Sequence, residues 1–211
     1  MKAIVFACVF AIFAVGFSSA DLYCHHKKPD IPGEWVSMAD TCTNSMRRQI
    51  QEEINAAMQY MAMGAHFSKD TVNRPGFAKL FFDAASEERE HAIKLISYLL
   101  MRGELTSDVS SLIKTVLEPA VVEWKTGIDA LKDALQLETS VTKKIRDVIQ
   151  KCEEGNMEFN DYHLVDYLSG DFLDEQYKGQ RDLAGKISTL DKMIDKHGGL
   201  AEFLFDKKLL S

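Results

Sequence analysis

The chain has 211 residues and a formal net charge of −7, with 25 Lys and Arg against 32 Asp and Glu. This acidic balance argues against nucleic acid as a partner and suits a protein that collects cations. The length is sufficient for one domain with a sizeable core. No segment after the first twenty residues approaches an uncharged apolar run long enough for a membrane span, so no contact with a membrane is expected.

The first twenty residues have the layout of a cleavable secretory signal. A single lysine precedes an apolar stretch from Ala3 to Phe17, and small residues follow at positions 18–20. We therefore expect residues 1–20 to be removed and the mature protein to be soluble and secreted. Residues 21–42 are then an N-terminal extension, which carries Pro and His residues and is predicted to be irregular.

Four long helical patterns follow the extension, with Pro and Gly confined mostly to the junctions between them. A tight "DTVNRPG" turn separates the first two, and a longer stretch around "GELTSDVSSLIKTVLEP" separates the second from the third. The patterns run from Thr43 to Ser68, from Phe77 to Arg102, over Ile128 to Ile149 and over Leu168 to Ile187, and "GLAEFLFDKKLL" adds a short amphipathic piece. This order predicts an all-α fold over residues 43–211, a four-helix bundle with one long crossover plus a short C-terminal fifth helix.

The long connection decides the direction of the third helix. A helix of about 26 residues is roughly 39 Å long. An extended connection of about twenty residues can run that length, so the second and third helices can lie parallel.

Polar residues interrupt the apolar stripes of these helices near their middles. In the second helix the buried series reads Ala84, Glu88, His91, Leu95 at spacings of four, three and four. A carboxylate and an imidazole thus occupy positions where the pattern favours Leu or Ile.

The other three helices show comparable interruptions. Glu138 follows Leu131 and Leu135 in the third helix, and Gln176 lies in the series of Phe172 and Leu183 in the fourth. In the first helix, Glu53 is predicted at the edge of the apolar stripe beside Ile50, with Tyr60 on the same flank.

Buried carboxylates cost several kcal/mol each unless their charge is compensated. Taken singly, "EEREH" is more typical of a solvated helix face, and a lone buried histidine is more often an ordinary core residue than a ligand. Inward polar positions on four helices at one height instead favour a site for a divalent cation, since no Lys or Arg shares the stripes.

These segments resemble the ferritin family, and specifically its heavy-type subunits, over about residues 43–210. The resemblance rests on "EEINAAMQY", "EEREHA", "LQLE", "DEQ" and the terminal "GLAEFLFDK". It implies iron storage and ferroxidase activity, in which dioxygen oxidises Fe(II) at a site inside the bundle. The ferric product would then join a mineral within a shell of 24 subunits.

The resemblance also implies roles for individual residues. Two Fe(II) ions per subunit would be bridged by Glu88, with Glu53 and His91 on one side and Glu138 on the other. Gln176 would be a weak ligand or a hydrogen-bond donor. Glu87 is implied as an accessory iron residue, and Tyr60 supplies an electron or a hydrogen bond or is simply a buried phenol.

Two other function classes remain open at this stage. A storage or scaffold subunit without activity would have vestigial ligands, and a di-iron oxygenase would need a second Glu-x-x-His motif, whereas the fourth helix reads "EQYKG". The family's threefold pore is usually lined by an acidic pair; here Asp166 is present, but the position three residues later is Ser169. Iron access by that route is therefore in question.

Three cysteines follow the signal, an odd number for an oxidising compartment. If the third helix runs antiparallel to the first, Cys42 and Cys152 lie at the same end of the bundle. We expect an intrachain bridge between them. Cys24 is then left for an interchain bond, most plausibly to a companion light-type ferritin subunit.

Overall fold

The computed structural model describes Asp30 and residues 32–105, 112–113, 118–153 and 160–211. Within these residues the chain is all-helical with no strand, as predicted. The elements are a 3-10 turn (Gly33–Trp35), α1 (Asp40–Ser68), α2 (Pro75–Met101), α3 (Gly127–Glu153), α4 (Tyr162–Tyr167), a π-helical segment (Leu168–Phe172), α5 (Leu173–His197) and α6 (Gly199–Leu209). Over the same residues no helix is long and apolar enough to cross a membrane.

Two predicted features fall outside the described residues, the signal at 1–20 and Cys24. At the start of the bundle, α1 begins at Asp40, earlier than the predicted boundary at Thr43. An acidic residue in the first turn suits the positive end of the helix dipole, so the helix extends back to Asp40. Cys42 consequently lies inside α1 and not before it.

The predicted fourth helix is present with one irregularity. It runs from α4 through the π-helical segment into α5. At its start Asp161 accepts a hydrogen bond from the Leu164 N–H, which caps α4. The π-helical segment adds a wider turn, in which N–H groups reach back five residues, directly before the stretch of α5 that carries Gln176.

A tight turn makes α1 and α2 antiparallel. Asn73 has a φ of 50°, in the left-handed region that Asn tolerates better than most residues. The Arg74 N–H then donates to the Phe67 carbonyl at 3.0 Å, which folds the chain back on itself. Pro75 opens α2 at a position where its missing N–H costs nothing.

The described residues at the end of the crossover lie along α1. They exchange hydrogen bonds with Gln59 in the middle of α1, which accepts from the Ala120 N–H at 3.0 Å and donates to the Val121 carbonyl at 2.7 Å. Further along, the Trp124 ring packs edge-on against His66 near the end of α1. The second and third helices therefore start at the same end of the bundle and are parallel.

The expected disulfide joins Cys42 in α1 to Cys152 in α3, with their Cα atoms 4.9 Å apart. The start of α1 thus lies beside the end of α3, and the two helices are antiparallel. This prediction is confirmed. Both cysteines are fully buried in the apolar cluster at this end of the bundle.

The last helix, α6, packs against the end of the bundle opposite the disulfide. The carboxylate of Asp206 accepts hydrogen bonds from the N–H groups of Gly76 at 2.8 Å and Phe77 at 3.1 Å, which are among the unpaired donors of the first turn of α2. Glu202 accepts from Arg74 at 3.1 Å and from the Gly127 N–H at 2.8 Å. One short helix therefore caps the starts of both α2 and α3.

Two apolar clusters fill the bundle, one near the disulfide and one near α6. Each of the four long helices contributes to both clusters. On α2 the change from one cluster to the other falls between Ala85 and Ala92, and on α3 between Ala134 and Val141. A layer of polar side chains occupies this gap. Met61 lies on the outer face of α1 and is 49% exposed.

Candidate metal centre

Five polar side chains from four helices are buried together in the gap between the apolar clusters. Each is less than a tenth exposed although its type is usually found at the surface. They are Glu53 on α1, Glu88 and His91 on α2, Glu138 on α3 and Gln176 on α5. The structure thus brings together every residue that the sequence analysis proposed as a ligand.

The helical spacing explains the inward direction of the α2 pair. Glu88 and His91 are three residues apart and so share a face, with buried Ala85 before them and buried Leu95 after them. Glu53 was predicted at the edge of the apolar stripe of α1, and the structure shows it fully buried, with an exposed fraction of 0%. The inward face of α1 is wider than its apolar residues indicate, since buried Gln49 also belongs to it.

Three of these side chains can hold one ion. Ligand atoms of Glu53, Glu88 and His91 all lie within 4.8 Å of one another. Within this group, Nδ1 of His91 is 3.5 Å from a carboxylate oxygen of Glu88. Two carboxylates and an imidazole form a donor set suited to iron and other divalent transition metals.

Burial disfavours the ionised forms of both carboxylates in this group. Burial raises the pKa of Glu53 well above its usual value, and the hydrogen bond to Glu88 raises it further. Burial likewise raises the pKa of Glu88 to about 8, with the nearby Glu138 carboxylate adding to the effect. One oxygen of Glu53, Oε2, is buried without a hydrogen-bond partner. A bound cation would neutralise these carboxylates and complete the coordination of that oxygen.

Glu138 is held by the buried Tyr60, whose hydroxyl donates to its Oε1. Burial raises the pKa of Tyr60 well above its usual value, and the Glu138 charge adds to this, so the phenol keeps its proton. The Tyr60 ring stacks on Phe81. Tyr60 is therefore hydrogen-bonded directly to the candidate ligand Glu138, and the packing of its ring holds it in place.

A cavity of about 370 Å³ connects the site to the outside, and Glu87 is one of its lining residues. Glu87 lies on the exposed side of α2, next to Glu88, in agreement with an accessory position. Tyr60, Glu138 and Gln176 also line the cavity. Acidic side chains thus run from the opening to the buried cluster.

Two sets of contacts around the site were not predicted from the sequence. Glu175, at the cavity opening, places Oε2 at 3.3 Å from Nε2 of His91 and 3.4 Å from Nζ of Lys94. Its position beside Gln176 in "DEQ" was the available signal. Gln49 donates to Oε1 of Glu53 at 2.8 Å, and its spacing of four residues from Glu53 on the same helix was a second signal.

Ser169 lies away from this site, in the π-helical segment. It lines a separate surface pocket together with Ile149 and the basic residues Lys143 and Arg146 of α3. In this subunit the pocket has a mixed charge, since Asp147 and Glu153 also line it.

Comparisons with known proteins agree on one family. The profile described as a ferritin-like domain matches residues 43–193. The chain is 64% identical to the ferritin heavy chain of Trichoplusia ni over 203 residues, covering 96% of this chain and 95% of that protein. It is 57% identical to the ferritin heavy chain of Drosophila melanogaster, covering 96% and 98%. The crystal structure of Trichoplusia ni secreted ferritin superposes with a TM-score of 0.84 at 66% identity, covering 89% of this chain and 97% of that one.

Proposed function

Because the chain belongs to the ferritin family, we propose that it stores iron by oxidising Fe(II) with dioxygen at the mid-bundle site. The ferric product then passes to a mineral inside a multi-subunit shell. The buried group of Glu53, Glu88 and His91 is the observation that carries this proposal. It combines the donor types that bind iron with two buried carboxylates whose ionised forms are disfavoured until a cation binds.

Two Fe(II) ions bind as substrates on the two sides of Glu88. Glu53 and His91 hold the first ion, and Glu138 holds the second. Dioxygen takes one electron from each ion and, with two protons from water, is reduced to hydrogen peroxide while both ions become Fe(III). Support comes from the position of Glu88, which offers a ligand atom within 4.8 Å of those of Glu53 and His91 and lines the same cavity as Glu138.

The two sides of the site differ in strength, which suits release of the product. The first side has two carboxylates and an imidazole, whereas the second has Glu138, a share of Glu88 and the neutral Gln176. A second ion held by fewer anionic ligands leaves more readily after oxidation. Tyr60 restrains Glu138 through its hydrogen bond and so keeps this carboxylate directed into the site.

Family membership supports a proposal for assembly and location. We expect the chain to assemble into the family's shell of 24 subunits, with a light-type ferritin subunit as companion. A relative of 66% identity is named a secreted ferritin, which supports secretion of this chain as well. Cys24 is proposed to bond to another subunit, since Cys42 and Cys152 are already paired with each other.

The test is to mix the assembled protein with Fe(II) in air and to monitor oxidation through the absorbance of the ferric product. Replacing Glu88 and His91 together by Ala should slow the fast phase by at least roughly 100-fold, because loss of outer-sphere partners alone costs 10–100-fold. A variant with Glu90→Ala and His197→Ala removes the same side chains from exposed positions and is the matched control. Equal rates in the wild type and the Glu88/His91 variant would contradict the proposal.

A further inference from the structure

Gln176 is anchored by hydrogen bonds that run between α5 and α3. The amide nitrogen of Gln180 lies 2.6 Å from Oγ1 of Thr142, and this oxygen lies 2.8 Å from Oε1 of Gln176. The Gln180 amide can only donate to the threonine oxygen. The threonine proton is then available to donate to the oxygen of Gln176.

The same hydroxyl has one competing acceptor, the main-chain oxygen of Glu138 at 2.8 Å. That carbonyl lies inside α3, where the N–H four residues later already pairs with it. Thr142 and Gln176 are both buried, with exposed fractions of 5% and 4%, so water does not readily replace their contact. Donation to Gln176 therefore satisfies more of the buried polar atoms than donation to Glu138 does.

This contact has a consequence for the other end of the Gln176 side chain. The oxygen and nitrogen of a carboxamide lie on opposite sides of its carbon, so Nε2 is the atom left for the cavity when Oε1 faces Thr142. Glu88, His91 and Glu138 line that cavity with Gln176. An amide dipole is stabilised when its positive N–H end faces carboxylates.

We propose that Thr142 and Gln180 are positioning residues that turn the N–H group of Gln176, and not its carbonyl oxygen, toward the iron site. Gln176 then acts as a hydrogen-bond donor to the oxygen substrate or to Glu138, and it is not a metal ligand. The inference rests on the proposed function and decides between the two roles that the sequence left open for this residue. It also accounts for the weaker second side, where Glu138 and a share of Glu88 would be the buried anionic ligands.

Thr142→Val removes the hydroxyl proton and keeps the shape of the side chain. The oxygen of Gln176 becomes free to turn toward a cation, and the affinity for a second ion should rise about fivefold, the equivalent of one net hydrogen bond. Gln180→Glu should act in the same direction, because its carboxylate accepts the Thr142 proton and Gln176 must then donate to Thr142. Thr142→Ser retains the donor and should leave the affinity unchanged.

The measurement is an anaerobic titration of the assembled protein with Co(II), which reports both the affinity and, through its visible absorption, the oxygen ligands of the second ion. Thr139→Val is the matched control, since Thr139 lies on the exposed face of the same helix. In a Gln176→Leu background, Thr142→Val should have no effect. If Thr142→Val fails to assemble, the affinity for the second ion is compared between Gln180→Glu and Thr142→Ser.

The inference is overturned if Thr142→Val and Gln180→Glu leave the second affinity and the Co(II) spectrum of the wild type unchanged. It is equally overturned if Thr142→Val has the same effect in the Gln176→Leu background. Wild type that binds fewer than two Co(II) ions per subunit would instead contradict the proposed function, so the two failures are distinguishable.

Discussion

Replacing Glu88 by Gln should stabilise the metal-free protein at alkaline pH while it abolishes the proposed iron site. Burial raises the pKa of Glu88 from about 4.5 in the unfolded chain to about 8 in the folded protein. Between these values the folded state holds a proton that the unfolded state releases. This proton stabilises the fold fully below pH 4.5, and its contribution is lost as the pH rises to about 8.

The size of the effect follows from the same shift. A pKa difference of about 3.5 corresponds to at most about 5 kcal/mol of unfolding free energy. Gln has the same shape but no charge to bury, so Glu88→Gln does not incur this loss. For a chain of this length, the melting temperature of the variant should exceed that of wild type by roughly 10 °C at pH 8.5.

Thermal denaturation with a metal chelator, at pH 5 and at pH 8.5, measures this difference. Glu90→Gln makes the same chemical change on the exposed side of α2 and is the control. At pH 5 the wild type and Glu88→Gln should melt at nearly the same temperature. If their difference is the same at both pH values, the buried carboxylate does not destabilise the metal-free fold and the reasoning fails.

Four further predictions concern the cysteines, the cap that Asp206 provides for α2, and Ser169. Replacing Cys42 and Cys152 by Ala opens a loop with a sequence separation of 110 and should lower the unfolding free energy by about 2–5 kcal/mol in denaturant titrations. Non-reducing electrophoresis of the wild type should show an interchain band, and Cys24→Ala should remove that band. Asp206→Ala leaves two buried N–H groups of α2 unpaired and should cost about 2–4 kcal/mol in the same titrations, whereas Asp206→Asn keeps the acceptor and should cost less. Ser169→Glu should speed iron uptake at limiting Fe(II) and make the uptake rate depend more steeply on ionic strength. An unchanged uptake rate would show that iron enters the shell by another route or that a partner subunit already supplies the negative charge.

The sequence predicted the features that depend on helical spacing. Glu88 and His91 interrupt an otherwise apolar stripe, and their spacing of three residues is sufficient to place both on the buried face of α2. The pairing of Cys42 with Cys152 followed from helix directions alone, because a long crossover fixes which ends of the helices meet.

Contacts between helices were less accessible to sequence reasoning. Glu53 is fully buried, although the apolar residues of α1 place it at the edge of the stripe, because the facing side chains on α2 and α3 are polar as well. The chain from Gln180 through Thr142 to Gln176 depends on rotamers and on the relative rotation of α3 and α5. The cap that Asp206 provides for α2 joins residues far apart in sequence, so no local sequence pattern predicts it.

The central claim is that two iron ions bind between Glu53, Glu88, His91 and Glu138. Crystals of the protein soaked with Fe(II) under anaerobic conditions, with diffraction recorded on both sides of the iron absorption edge, test it most directly. We expect two anomalous peaks in the gap between the apolar clusters, one contacted by Glu53, Glu88 and His91 and the other by Glu88 and Glu138. Iron peaks confined to the protein surface, with none in this gap, would contradict it.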